Sequence, residues 1–384
     1  MGLMMPAKPI QHTPLNARMP VIKVIGLGGG GSNAINRMIE LGIEGVEFIA
    51  ANTDRQALEN SLASKKIQLG SRLTRGLGSG GNPNIGEAAA EESYRELNAA
   101  LMGADMVFVT AGMGGGTGSG AISVAARVAK TLGAVTIAIV TTPFSFEIGR
   151  RQKNAQEWLA KLRPNTDTLI TVPNDRLLQI APRDLPLELA FRLADDVLRQ
   201  GIQGISELVL QSGLINVDFA HIRQMMLKGG GSFLSIGYGE GEDKAAKAIA
   251  NALHHPLLES IPVENASGII ANFTGGNDLT FLEVTTALET LQEKTNRQAE
   301  IIPGVISNDQ MVDRAQAILV ITGIGATPVE TTTHSLAEQP AETSQKHSES
   351  MQLPFSQPAP LAQIELAGAT NDIDLPAFLR RRIR

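Results

Sequence analysis

Three glycine clusters carry the strongest chemical signal in this chain of 384 residues. The first, Gly26-Leu27-Gly28-Gly29-Gly30-Gly31-Ser32-Asn33, follows a β-rich apolar run and precedes Ile35, Met38 and Ile39 at helical spacing. Backbone N–H groups at such a helix start can cradle phosphate, and glycine lets the ligand come close. Gly26-x-Gly28-x-x-Gly31 also satisfies the dinucleotide fingerprint, so this loop alone leaves a nicotinamide enzyme and a plain tight turn open. The second cluster, Gly112-Met113-Gly114-Gly115-Gly116-Thr117-Gly118-Ser119-Gly120, again sits between a strand end and a helix. Two such loops place two phosphate cradles at one sheet edge, which suits a nucleoside triphosphate; a nicotinamide cofactor normally needs one. Neither loop holds the Gly-Lys-Ser/Thr of a P-loop. The third cluster, Thr74 to Pro83, reads either as an ordinary surface loop or as a lid near the terminal phosphate.

Other residues could complete a nucleotide site. Asp54 closes a strand at Asn52-Thr53-Asp54. Glu147 and Arg151 follow a strand end at Pro143-Phe144, where a carboxylate can meet a ribose, although such a pair is also an ordinary surface ion pair. Asn174-Asp175 with Phe191 and Asp195 could supply base stacking and base-edge hydrogen bonds, or be core packing and a solvated helix face. In Gly213-Leu214-Ile215-Asn216-Val217-Asp218-Phe219-Ala220-His221, Asn216 and Asp218 could position a water, or form a cap or turn.

The elements that must hold these residues follow from periodicity. Apolar strand-like runs at 21–25, 46–51, 106–110, 135–140 and 169–172 alternate with helical patterns, which predicts a doubly covered parallel sheet. Leu189, Leu193, Val197, Ile202, Ile205 and Leu208 mark one long helix over about 187–211, with Gly201 and Gly204 expected to pack closely against the first domain and Gly213 to end it. Strands near 232–237, 268–273, 299–305 and 317–323, with helices at 244–252 and 282–293, predict a second, smaller α/β domain. The resulting division is a flexible extension at 1–20, a nucleotide domain at 21–186, a central helix at 187–212 and a second domain at 213–325. A disordered Thr/Ser/Pro/Gln/Glu-rich linker at 326–370 and a partner-binding tail at 371–384 complete it.

Composition narrows the function. The absence of cysteine excludes disulfides, thiolate metal sites and a cysteine nucleophile. A net charge of −6 argues against a general nucleic-acid binder. No run approaches the roughly 18 apolar residues of a membrane span, and a proline-broken start carries no signal-peptide pattern. A cytoplasmic protein without membrane insertion is the expectation.

The Gly112–Gly120 loop closely resembles the specific GGGTGSG signature of the tubulin/FtsZ family, and the chain from Val21 to Gly325 is similar to FtsZ, the bacterial cell-division GTPase. Asn52-Thr53-Asp54, Thr74–Pro83, Pro143–Glu147, Pro173–Arg176, Ala190–Ile205, Gly213–Ala220, Gly241–Asp243 and Asp278–Thr280 continue the likeness. The resemblance implies GTP or GDP held by Gly29, Gly30, Gly31, Ser32, Asn33, Asp54, Gly116, Thr117 and Gly118. Glu147 and Arg151 would face ribose and phosphates, and Asn174, Phe191 and Asp195 the guanine, with Mg2+ bound through the phosphates and no dedicated protein metal site. It implies a head-to-tail homopolymer at a mid-cell ring, in which Asn216, Asp218 and His221 of one subunit cover the GTP of the next. Asp374, Leu375, Pro376, Phe378 and Leu379 would dock on membrane-tethering and regulatory partners.

Two positions depart from the family pattern. His221 replaces the second acid of Asn-x-Asp-x-x-Asp, and Ile148 replaces a glycine after Glu147. A neutral imidazole offers one acceptor where a carboxylate offers several. Slow hydrolysis with near-normal GTP binding is therefore expected, as in a specialised subunit that co-polymerises with a standard FtsZ. A structural filament subunit that binds GTP without turning it over is the alternative.

Overall fold

Runs dense in β-branched residues become strands, and those near the middle of the sheet are buried along nearly their whole length because helices cover both faces. The structure, a computed structural model, describes residues 19–147, 149–179, 184–210, 214–215, 217–258 and 261–324. Ile148, Gly213, Asn216, the expected linker and the expected tail lie outside the described residues.

The first six strands are β1 (Ile22–Leu27), β2 (Val46–Asn52), β3 (Lys65–Gln68), β4 (Met106–Gly112), β5 (Val135–Thr142) and β6 (Thr168–Pro173). All pair in parallel, in the order β3-β2-β1-β4-β5-β6. Among them run α1 (Gly28–Glu40), α2 (Arg55–Glu59), α3 (Pro83–Glu92), α4 (Tyr94–Leu101), α5 (Thr117–Thr131), α6 (Arg150–Leu162) and α7 (Asn174–Leu177). The chain winds outward from β1 to β3 and then crosses back to β4, so the order reverses between β1 and β4.

The long helix α8 (Leu187–Leu210) leads to α9 (Phe219–Met226), β7 (Gly231–Glu240), α10 (Lys244–Leu253), β8 (Gly268–Gly275), α11 (Phe281–Lys294), β9 (Glu300–Ser307) and β10 (Arg314–Ile324). β10 lies antiparallel between β7 and β8, and β9 pairs with β8 in parallel at the outer edge. One pairing, Ile170 with Ser232, joins β6 to β7 and makes a continuous sheet of ten strands among the described residues.

Several expectations change. α1 and α5 begin inside the glycine clusters, so Thr117–Gly120 is the first turn of α5 and not a loop. Tertiary packing overrides the low helix propensity of glycine there: a Cβ on Gly120 would fall 2.0 Å from the Pro83 carbonyl oxygen at the start of α3. Phe219–His221, expected as part of a connecting loop, are the first turn of the helix Phe219–Met226, with Asp218 as its N-cap. Leu189 is exposed and outside the core stripe of α8. Gly201 and Gly204 approach Leu234 and Ile318, on β7 and β10, so their close packing is chiefly against the second half of the chain. No helix among the described residues is long and apolar enough to cross a membrane.

Candidate functional site

β1 and β4 run side by side in parallel, and each delivers its carboxyl end into a helix. An open parallel sheet leaves a crevice at such a reversal of strand order. No side chain caps the N-terminus of α1 or α5, and neither first turn carries an acid. Their first-turn N–H groups and the positive ends of both helix dipoles thus make a double anion cradle. A cavity of about 730 Å3 fills the crevice, inside the roughly 300–1,000 Å3 typical of small-molecule sites.

Gly29, Gly30 and Asn33 line this cavity from α1, and Gly116, Thr117 and Gly118 from the start of α5. Gly31 and Ser32 lie beneath the cradle and not on its wall. A Cβ on Gly31 would sit 2.6 Å from the Thr110 carbonyl oxygen, and Ser32 is buried. Asp54 also lines the cavity, while its Oδ1 accepts a hydrogen bond of 3.1 Å from the Ala57 N–H and caps α2.

The segment Leu77–Gly81 of the third glycine cluster forms another wall, so this part of it belongs to the site. Sequence reasoning left that open, and it missed the hydroxyl chain that fastens the segment. Ser79 Oγ lies 3.0 Å from Thr117 Oγ1, which lies 2.6 Å from Thr53 Oγ1, and all three residues are buried. The available signal was hydroxyl residues at the ends of neighbouring βα units. Glycine at 116 is required by this closure, because a Cβ there would meet Ser79 Oγ at 2.2 Å and the Asn82 nitrogen at 2.7 Å. Gly116→Ala should therefore displace residues 79–82 and weaken triphosphate binding about fivefold or more, the binding equivalent of an overpacking cost of about 1–3 kcal/mol. A fluorescent-nucleotide titration with circular dichroism as the folding control measures this, and unchanged affinity would contradict it.

The other end of the cavity is aromatic and acidic. Phe191, on the wall, meets Phe144 edge to face at 5.3 Å, and Phe144 stacks on Phe146 at 5.0 Å. Asn174 lines the cavity and is buried, and its Oδ1 lacks a hydrogen-bond partner. Burial pushes the Asp195 carboxyl up to about 7, against the pull of the Arg37 guanidinium. Between the two ends, Glu147 and Arg151 line the cavity and are ion-paired with each other, and Glu147 Oε1 accepts the Phe144 N–H at 2.9 Å. Ile148 lies outside the described residues, so its effect on this pair is not part of the geometry.

Asp218 and His221 do not line the cavity. Both are exposed at the start of α9, where the Asp218 carboxylate accepts the Ala220 N–H at 2.9 Å. Among the described residues no cluster of three or more His, Asp or Glu side chains could hold a metal ion.

Comparison with known proteins places these features in context. Residues 21–182 match the family model of the Tubulin/FtsZ family GTPase domain, and residues 230–325 match that of the FtsZ family C-terminal domain. An empty FtsZ dimer from M. jannaschii is 44% identical, with 81% of this chain and 90% of that one covered at a TM-score of 0.77. A point mutant of the same M. jannaschii protein is 44% identical over 80% of this chain and 92% of its own, also at 0.77. A GTPγS-bound protofilament of CetZ2 from Haloferax volcanii shares the fold at 20% identity, covering 80% and 94% with a TM-score of 0.66.

Proposed function

Because the chain belongs to the tubulin/FtsZ family and carries both of its GTPase-side and C-terminal domains, we propose that it is a GTP-hydrolysing filament subunit of the bacterial division ring, in which hydrolysis occurs between subunits. In this reading GTP lies across the cavity, its phosphates on the α1 and α5 cradle and its guanine between Phe191, Asn174 and Asp195. Mg2+ accompanies the phosphates and neutralises their charge. Residues 21–186 form the nucleotide domain, the central helix α8 (Leu187–Leu210) adds Phe191 and Asp195 to its site, and the second domain carries the segment that covers the neighbour's GTP.

One observation carries the intersubunit site. Each carboxylate on the cavity wall has a local partner or an aromatic neighbourhood: Asp54 caps α2 through one oxygen, Glu147 pairs with Arg151, and Asp195 lines the wall with Phe191 on α8. The first turns of α1 and α5 offer backbone donors for phosphate and carry no acid of their own. Asp218 caps α9 through one oxygen, is exposed and does not line its own cavity, so its second oxygen can face the cavity of another subunit. Water, oriented by Asn216 and Asp218 of the neighbour, attacks the γ-phosphorus in line; the bond to the β-phosphate oxygen breaks, giving GDP and phosphate. The backbone donors of both helices stabilise the charge that develops on the phosphates.

Sedimentation with GTP or GDP, combined with phosphate release, tests the reading. GTP alone should drive pelleting, with phosphate released in proportion to the pelleted protein. Pelleting without release would favour a structural subunit that holds GTP as a built-in ligand, and no nucleotide-dependent pelleting would end the filament proposal. His221 makes this chain a slow subunit of a mixed filament with a standard FtsZ. The tail residues Asp374–Leu379 recruit tethering and regulatory partners; they lie outside the described residues, and this assignment stands on their sequence.

A further inference from the structure

The segment that carries Asn216 and Asp218 is fastened to the outer edge of the sheet. The Leu214 N–H donates to the Val305 carbonyl of β9 at 2.9 Å, and Ile215 forms an antiparallel bridge with Val305. On the far side of the segment, Asp218 holds the first turn of α9 through the Ala220 N–H. The two ends of the short stretch between Ile215 and Asp218 are thus pinned to different elements.

β9 is in turn set against the final turns of α8. Leu208 is buried there, and a Cβ on Gly304, the neighbour of Val305, would fall 1.9 Å from Leu208 Cδ2. One turn earlier, Asn272 on β8 donates to the Gly204 carbonyl of α8 at 3.2 Å, and Gly204 itself approaches Ile318 on β10. β8, β9, β10 and the second half of α8 therefore form one packed unit, and the edge of β9 transmits its position to Leu214 and Ile215. The same helix carries Asp195 on the cavity wall, so α8 runs from the nucleotide site toward this anchor.

We infer that the Gly304–Val305 edge of β9 is a positioning element for GTP hydrolysis: through Leu214 and Ile215 it sets the height from which Asp218 reaches the neighbouring subunit's nucleotide. The inference rests on the intersubunit reading given above. Gly304 and Val305 touch no substrate; they act through the Leu214 N–H. An antiparallel pairing to a strand edge is suited to this task, because it sets the direction of the departing chain as well as its distance. A hydrolytic group misplaced by about an ångström costs on the order of a hundredfold in rate.

Leu214→Pro removes the donated N–H, and little side-chain packing is lost because Leu214 is 75% exposed. Leu214→Ala keeps the N–H and serves as the control. Monomer GTP affinity, thermal midpoint and phosphate release per pelleted subunit are measured for both, beside Asp218→Ala. Leu214→Pro should bind GTP and pellet like the natural chain while turnover falls tenfold or more, and Leu214→Ala should keep its turnover. Full turnover by Leu214→Pro, with Asp218→Ala impaired, would overturn the anchor and leave the intersubunit reading standing. Full turnover by Asp218→Ala would overturn that reading and the anchor with it. A loss of GTP affinity in Leu214→Pro equal to its loss of turnover would overturn the anchor by placing the effect in the pocket. Should Leu214→Pro fail to fold, Gly304→Ala decides: its turnover should fall at unchanged GTP affinity and recover when Leu208→Ala removes the overlapping methyl. Natural turnover by Gly304→Ala would count against the inference.

Discussion

Replacing His221 by aspartate should speed phosphate release from assembled filaments by tenfold or more, which is about 1.4 kcal/mol off the barrier, with assembly alike. His221 follows the N-cap by three residues, in the first turn of α9, and is exposed. Asp218, the remaining acid of the segment, already commits one oxygen to the Ala220 N–H. A water facing the γ-phosphate therefore has few acceptors to hold it, and His221 adds at most one when neutral and none when protonated. Aspartate at 221 would add a carboxylate with several acceptor directions. It would also sit better than imidazole at a helix N-terminus, by about 0.3–1 kcal/mol, so the substitution should not cost stability. Phosphate release and light scattering on the two forms, with the critical concentration measured for each, provide the test. Equal and healthy rates would show that Asp218 suffices and that this is an ordinary FtsZ. In mixed filaments with a standard FtsZ, the natural chain should slow disassembly, and equal turnover in mixed and pure filaments would remove that role.

With Asp195 facing the base as proposed, GTP affinity should rise about tenfold between pH 6 and pH 8, because the carboxyl would have to be ionised to accept hydrogen bonds from guanine and burial pushes it up to about 7 in the nucleotide-free protein. The sign follows from linkage. Burial raises this carboxyl from 3.8, so the nucleotide-free fold favours the protonated form. The stability associated with that proton is complete below about pH 4 and is lost as pH rises through about 7. In the proposed arrangement guanine presents N–H donors to the same oxygens and pulls the proton off, so binding near pH 6.5 should release protons. Calorimetry in buffers of different ionisation enthalpy reads that release directly. Asp195→Asn should abolish the pH dependence, weaken GTP binding by roughly a hundredfold as an amide N–H is set against a guanine donor, and raise the nucleotide-free melting temperature at pH 8 by a few degrees. A flat affinity between pH 6 and pH 8 in the natural chain would contradict the assignment of Asp195 to the base.

Both experiments concern residues that the chain announces unevenly. Gly29, Gly30, Gly116 and Gly118 were legible because glycine clusters between a strand and a helix are rare and have a physical reason. Phe191 and Asp195 were not legible from spacing; on a helix face their pattern is that of packing or a solvated side. They become a site only where α8 crosses the cavity beside Asn174. Gly31 and Ser32 show the converse, since the same cluster contains residues on the cavity wall and residues that pack behind them, which residue type does not distinguish.

By itself the sequence determined the local decisions: which longer apolar runs are strands (the short β3 at Lys65–Gln68 was not among them), where backbone must come close to phosphate, that α8 is long, and that the second acid of the family's segment is missing. Those follow from short-range periodicity and residue type, which need no partner elsewhere in the chain. Only the tertiary structure decided the reversal between β1 and β4 that opens the cavity, the single Ile170–Ser232 pairing that makes two sheets one, the hydroxyl contact of Ser79 with Thr117, and the attachment of Leu214 to Val305. Each joins residues distant in sequence, and three of them act through strand pairing or backbone groups that every residue type carries. Side-chain pattern therefore leaves them almost unmarked, although they decide where the announced chemistry can be performed.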